Sequence, residues 1–323
     1  MNSSPRVAVI TLNWNAWQET IGCLNSIAKL TYPCDLIEII VIDNGSVDDS
    51  IPRIRDWIQA VGRRSSSLRV TLMSSNENLG FGGGCNWGIE FALSESQKNE
   101  FVFLLNNDAR LHPECLQRCI NIAIEQGAAI AGAIIKTADG KQIEFAGGRF
   151  PHELFRAAER RGHPPHLEWW PVDRVMGSAM LIRRDLLEMR KSIFGYYFDP
   201  RLFLYYDELE FCTWARRSGY KIIMVRGAEV YHKGSATSGG RGNALVYYYT
   251  TRNRILLART FLPPWLKILF HLWYPSSRIV RAIQHAAKGR IRISAAILEA
   301  MWDGYRGTEG KWRRHPIQLA QRL

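Results

Sequence analysis

Three segments of the chain end an apolar run in groups able to bind a cation or take a proton. Leu104-Leu105 leads into Asn106-Asn107-Asp108, Glu229-Val230-Tyr231 into His232, and Phe203-Leu204-Tyr205-Tyr206 into Asp207-Glu208. A strand leaving the core at such a point turns its last polar side chains toward a cleft, where burial is costly unless they bind something. Asp108 offers a hard oxygen to a divalent cation bridging two phosphates, and His232 is a second ligand type. Asp207 and Glu208 follow two aromatic runs, Tyr196-Tyr197-Phe198 and Phe203 to Tyr206. A carboxyl beside such rings is partly desolvated, which raises its proton affinity and suits a general base. Bland readings compete at each place. His112-Pro113-Glu114 after Asp108 fits a helix start, acids at a helix start complement its dipole, and a lone strand-end histidine is commonly structural.

Two further segments have the makeup of a nucleotide site. Asp43-Asn44-Gly45-Ser46 brings a carboxylate, an amide and a hydroxyl to a strand end, for a base edge and a ribose, with an Asx-type turn as the competing reading. Asn76-Glu77-Asn78-Leu79-Gly80-Phe81-Gly82-Gly83-Gly84-Cys85-Asn86 puts four glycines between a strand and a helix predicted to begin near Gly84. Glycine lets a backbone approach a ligand, and a helix N-terminus favours a diphosphate. Gly80-x-Gly82-x-x-Cys85 departs from the dinucleotide fingerprint and follows the third strand, which disfavours a nicotinamide enzyme.

The elements that must position these groups alternate. Val7 to Leu12, Ile37 to Ile42, Leu68 to Met73 and Phe101 to Leu105 read as strands, separated by helical spacing over Trp17 to Leu30, Ser50 to Val61 and from Gly84. The pattern predicts an α/β fold with a mainly parallel sheet covered on both faces and ligand at the carboxyl edge of the strands. Beyond Lys136 a hairpin and a long loop are expected to Asp173, with Phe150 to Asp173, including Trp169-Trp170, as candidate acceptor contacts. A strand over Val175 to Arg183, a helix over Asp207 to Ser218 and closing strands over Lys221 to Val225 and Glu229 to His232 complete a domain of residues 1–242. Six cysteines without a Cys-x-x-Cys pair argue against zinc or disulfides and for a reducing cytosol, and Met1 to Arg6 shows no signal-peptide apolar region.

Taken in this order, the segments resemble the family 2 glycosyltransferases, specifically the bacterial subgroup that contains rhamnosyltransferases of cell-surface polysaccharide assembly. The resemblance covers residues 7–254. It rests on Thr11-Leu12-Asn13-Trp14-Asn15, Val41-Ile42-Asp43-Asn44-Gly45-Ser46, Asn78 to Asn86, Leu105-Asn106-Asn107-Asp108, Gly177-Ser178-Ala179-Met180-Leu181-Ile182-Arg183-Arg184, Phe203 to Glu208, His232-x-Gly234-Ser235 and Tyr249-Thr250-Thr251-Arg252-Asn253-Arg254. It implies a GT-A fold, a UDP-, dTDP- or GDP-sugar donor, Mg²⁺ or Mn²⁺, and inversion at the anomeric carbon. Carried over by position, the nucleotide would lie along Thr11, Asn13, Asp43, Asn44, Asn78, Gly80, Gly83, Asn86 and Asn107, with Asp43 on the base. Asp108 matches the last acid of the metal-binding Asp-x-Asp and His232 a further ligand, while Glu208 takes the catalytic base position with Asp207 beside it. Asn106 replaces the first acid of that motif. Asp207-Glu208 inverts the usual order of the two acids, which leaves the choice of base open. A non-catalytic nucleotide-sugar binder or scaffold is the alternative function. A nucleotidyltransferase is disfavoured because Asn13-Trp14-Asn15 stands where a glycine-rich basic loop would follow the first strand.

Residues 243–323 read as a basic, aromatic, helical appendage. The formal charge of +12 belongs to the tail, since Arg241 to the C-terminus holds 15 Lys/Arg against 3 Asp/Glu and the first 240 residues hold 27 of each sign. The stretch Ile255 to Tyr274 is interrupted by Arg259, Pro263-Pro264, Lys267 and His271, which excludes an uninterrupted span. Large apolar side chains among Lys and Arg suit a segment lying on an anionic leaflet. The expected partners are therefore the donor, a glycan or lipid-linked acceptor, and the inner face of the cell membrane. A helical pair packed on the catalytic domain or on a second copy is the competing reading. Nucleic acid is disfavoured because no binding motif accompanies the charge.

Overall fold

β-Branched runs buried on both faces and glycine-rich amphipathic segments produce the first half of the fold. β1 (Val7–Asn13), α1 (Trp17–Ile27), β2 (Ile37–Asp43), α2 (Ser50–Gly62), β3 (Arg69–Ser74), α3 (Gly80–Ala92) and β4 (Phe101–Asn106) follow one another as β-α units. β2 is buried at all seven positions, as a central strand with helices on both sides requires. The computed structural model describes residues 4–63, 67–94, 97–149, 158–164, 166–233 and 243–313.

The second half continues through β5 (Ala109–Leu111), α4 (Cys115–Glu125), β6 (Ile130–Thr137), β7 (Ile143–Phe145), the paired β8 (Gly148–Arg149) and β9 (Ala158–Glu159), and β10 (Trp169–Pro171). β11 (Ala179–Arg183), α5 (Arg184–Phe194), α6 (Asp207–Arg217) and β12 (Ile222–His232) complete it. The main sheet runs β10-β12-β6-β11-β4-β1-β2-β3. β3, β2, β1 and β4 are parallel, β11 enters antiparallel between β4 and β6, and β12 is parallel to β6. One apolar layer lies under α3, α5 and α6, the other under α1, α2 and α4.

Three sequence expectations change. α3 starts at Gly80, four residues before the predicted start, because Asn78 and Asn44 supply its opening hydrogen bonds. The Asn78 Oδ1 accepts from the Gly80 N–H at 2.8 Å and the Asn44 Oδ1 from the Leu79 N–H at 2.9 Å. Gly84 and Gly88 therefore sit inside a helix, where a Cβ would come within 2.3 Å of Leu12 and 2.8 Å of Ile10. They allow close packing of α3 on the sheet. α5 was not foreseen. Trp170, an expected acceptor contact, belongs to the core: β10 pairs with β12, the ring is 2% exposed, and its Nε1 donates to the Ala146 carbonyl at 3.0 Å.

α7 (Ala244–Phe261), α8 (Pro264–Ala287) and α9 (Ile291–Arg306) follow. α7 packs Ile255, Leu257 and Ala258 against Leu202 and Leu209, around the start of α6. Among the described residues, no helix is long and apolar enough to cross a membrane.

Candidate active site

The parallel register lines up the carboxyl ends of β3, β2, β1 and β4. Ser74 lies beside Asp43, Asp43 beside Asn13, and Leu12 beside Asn106. A polar chain runs along this edge. Asn13 Nδ2 donates to Asp43 Oδ2 at 2.7 Å, Thr20 Oγ1 donates to Asn13 Oδ1 at 2.6 Å, and Asn107 Nδ2 donates to Thr20 Oγ1 at 3.0 Å. Asp43 Oδ1 also accepts from the Ser46 N–H at 3.0 Å. Thr11, Asn13, Asp43 and Asn107 are all buried. In this arrangement Asp43 shapes the turn at residues 44–46. Asn78 and Gly83 are partly exposed. Asn86 is committed elsewhere: its amide exchanges two hydrogen bonds with the Phe198 backbone, at 2.7 and 2.8 Å, and anchors the loop after α5.

Sheet register also brings the two expected cation ligands together. β12 carries an irregularity between Val225 and Glu229, after which His232 pairs with Ala109 of β5. Asp108 precedes Ala109, and its Oδ1 lies 3.0 Å from His232 Nε2, with the Asn106 amide 3.4 Å from the same nitrogen. Glu19, on α1, braces both flanks of this pair. It accepts from Lys233 Nζ at 2.7 Å and from Arg110 Nη2 at 3.0 Å, and these contacts, led by the Lys233 hydrogen bond, hold its carboxyl below the usual range. Gly22 leaves room for Arg110, whose Nη2 would be 2.1 Å from a Cβ there.

The two acids of α6 occupy different surroundings. Asp207 is 1% exposed, and neither oxygen has a hydrogen-bond partner among the described residues. Burial, then the neighbouring Glu208 charge, pushes its carboxyl well above the ordinary range. Gly82 admits it, since a Cβ there would lie 2.7 Å from Asp207 Oδ1. The Glu208 side chain is 17% exposed and its Oε1 accepts from Arg174 Nη1 at 3.0 Å. Glu208 packs on Gly177, where a Cβ would lie 3.7 Å from its own Cβ, and the next residue, Ser178, accepts the Asn106 N–H at 3.2 Å. A two-residue bridge thus joins Glu208 to the strand end that leads to Asp108.

The loop before α6 carries backbone strain. Phe203, Tyr205 and Tyr206 have φ of 62°, 65° and 72°, left-handed values that L-residues rarely adopt. Arg252 and Asn253, fully buried on α7, donate five hydrogen bonds of 2.8–3.1 Å to the carbonyls of Arg201, Leu202, Leu204 and Tyr205. The Phe81 N–H donates to the Phe203 carbonyl at 2.7 Å, and Gly80 leaves space for that carbonyl, 2.2 Å from where a Cβ would be.

The sequence model of glycosyl transferase family 2 matches residues 8–190, more than half of the chain. The chain belongs to glycosyl transferase family 2. It is 26% identical over 257 residues to the low-salt glycan biosynthesis hexosyltransferase Agl10 of Haloferax volcanii, covering 79% of this chain and 76% of that protein. It is 26% identical over 227 residues to the N-acetylglucosaminyl-diphospho-decaprenol L-rhamnosyltransferase of Mycobacterium tuberculosis, covering 63% and 68%. The fold matches that of mannosyltransferase PcManGT from Pyrobaculum calidifontis, solved with GDP-Man and Mn²⁺, with a TM-score of 0.60, 16% identity, and 95% and 89% of the two chains covered. The α/β sheet of this family 2 glycosyltransferase is therefore of the GT-A type. Arg174 and Glu19 escaped the sequence reading, since an isolated arginine in a loop or glutamate on a helix carries no local signal, while Gly82 stood in the glycine run and only the structure sets it against Asp207. Arg252 and Asn253 stood within the resembling segments, though only the structure gives them a task. Residues 234–242, which include Gly234 and Ser235 of the resembling segments, lie outside the described residues, as do residues 150–157 of the expected acceptor loop.

Proposed function

We propose that this chain transfers a hexosyl or rhamnosyl unit from a nucleotide-diphosphate sugar to a hydroxyl of a glycan or lipid-linked acceptor, with inversion, in glycan assembly. The observation that carries the reading is the shared edge: Asp108 and His232 stand 3.0 Å apart on one side, and Glu208 reaches it through Gly177 and Ser178. The Asp108 carboxylate is a hard ligand for Mn²⁺ or Mg²⁺, and the His232 imidazole favours the softer Mn²⁺ of the two. Asp108 and His232 would hold such a cation, which would offset the charge that builds on the leaving diphosphate. In this reading the transfer unit extends beyond residue 242 to include α7.

Glu208 is the base in this proposal. Its side chain is the more open of the two acids, and the Arg174 guanidinium orients it. Burial raises the proton affinity of Asp207 well above the ordinary range, and its closed site gives an acceptor hydroxyl less access to it than to Glu208. Glu208 removes the acceptor hydroxyl proton as that oxygen attacks the anomeric carbon from the face opposite the leaving group, and no covalent enzyme intermediate is needed. The test is calorimetric binding and turnover across UDP-, dTDP- and GDP-sugars with and without Mn²⁺, for the native chain and for Asp108→Asn. One donor class should bind in a Mn²⁺-dependent way that Asp108→Asn weakens by about tenfold or more. Binding of no nucleotide sugar under any condition would overturn the proposal.

A further inference from the structure

α8 has two apolar faces. Leu266, Phe270 and Tyr274 are buried in the helical layer. On the other side Trp265, Ile268, Leu272, Trp273, Val280 and Ile283 are between 48% and 69% exposed. Their spacing places them in one stripe along the helix, about 27 Å from end to end at ~1.5 Å per residue. A helix apolar on both sides is ordinarily covered on both, and nothing among the described residues covers this one. α9 continues the exposure beside it with Leu298 and Trp302.

The charge around the stripe states what chemistry would cover it. From Ala244 to Leu298 the chain contains nine Lys/Arg and no Asp or Glu. Arg281, Lys288, Arg290 and Arg292 are exposed around the turn between α8 and α9. A second copy docking here would bring two basic sets together with few acids to pair them, since Glu299 and Asp303 are the only acids of α7 to α9 and Asp303 already accepts from the Tyr248 hydroxyl. A leaflet carrying anionic headgroups supplies the missing charge and an apolar layer for the stripe, with tryptophans at the depth their amphipathic rings favour. We propose that the open face of α8 lies in the plane of an anionic lipid bilayer and holds the protein on its surface. This inference stands apart from the transferase reading, since it rests on no residue of the site.

Co-flotation of the full chain with lipid vesicles tests it. The native chain should be recovered with vesicles containing phosphatidylglycerol and much less with pure phosphatidylcholine. Leu272→Glu combined with Ile283→Glu, at exposed positions that leave the melting temperature unchanged, should cut recovery by about tenfold or more. Charge reversal by Arg281→Glu, Lys288→Glu and Arg290→Glu should lower recovery on the anionic vesicles alone. Absence of the native chain from phosphatidylglycerol vesicles, or equal recovery from both kinds, overturns the proposal. So does a concentration-dependent dimer in light scattering that the Leu272→Glu/Ile283→Glu variant abolishes.

Discussion

Asp207 and Glu208 are adjacent in sequence and opposite in circumstance. A carboxyl without a hydrogen-bond partner, deep under α3, is stable only with its proton on. The folded chain therefore holds that proton at pH values where the unfolded chain, titrating near 3.8, has released it. Its contribution to stability is complete below that value and is lost as pH rises toward the folded-state value. Thermal melts across pH should show the native chain losing stability relative to Asp207→Asn as pH climbs from about 4 to neutrality. A flat difference would show that the carboxyl is ionised in the fold. Glu208→Gln should leave donor affinity near native and lower turnover by about 100-fold or more, read by steady-state kinetics; normal turnover removes Glu208 as the base. Gly82→Ala should displace the Asp207 carboxyl and cost about 1–3 kcal/mol, read by denaturant titration. Asp108, His232 and the acid pair were legible in the sequence because each ends an apolar run. The different surroundings of the two acids were not, since they depend on which side of α6 faces Gly82 and which faces Gly177.

Strand positions and several helix starts follow from local pattern, and the first four strands stand within a residue or two of where alternation of β-branched runs places them. The start of α3 did not, because four glycines read as a turn unless the side chains capping them are known, and Asn44 reaches its partner from 35 residues away. The loop before α6 was similarly hidden. Nothing in Phe203, Tyr205 or Tyr206 announces a positive φ, and left-handed geometry costs such residues about 1–2 kcal/mol each. Five hydrogen bonds from Arg252 and Asn253 offset that strain. Asn253→Ala removes three contacts shared by the two N–H bonds of one amide, and because the Leu202 carbonyl keeps Arg252 as donor the cost is about 1–3 kcal/mol in total. The variant should melt lower and turn over more slowly, with donor affinity little changed in binding assays. Unaltered turnover would mean that α7 supports the fold but not the loop geometry.

Across the whole molecule, charge is partitioned: the α/β body is balanced, and a basic set of helices carries the excess. If the leaflet contact is electrostatic in part, raising the ionic strength until the Debye length falls from ~10 Å to ~3 Å should release much of the vesicle-bound protein, with the apolar stripe retaining the rest. Complete insensitivity to salt in the same flotation assay would assign the contact to the stripe alone. The last described segment is tied both to α7 and to the α/β body. Trp312 stacks on Tyr248 at 4.3 Å, Gly310 N–H donates to the Arg201 carbonyl at 2.8 Å, and the Gly310 carbonyl accepts from Arg252 at 2.6 Å. The body and its basic helices are thus not separable pieces of hardware. A shortened protein cut at the apparent seam near residue 243 would forfeit the fastening of the loop before α6, and a graft of these helices onto another carrier would take away half of a clasp whose other half stays behind.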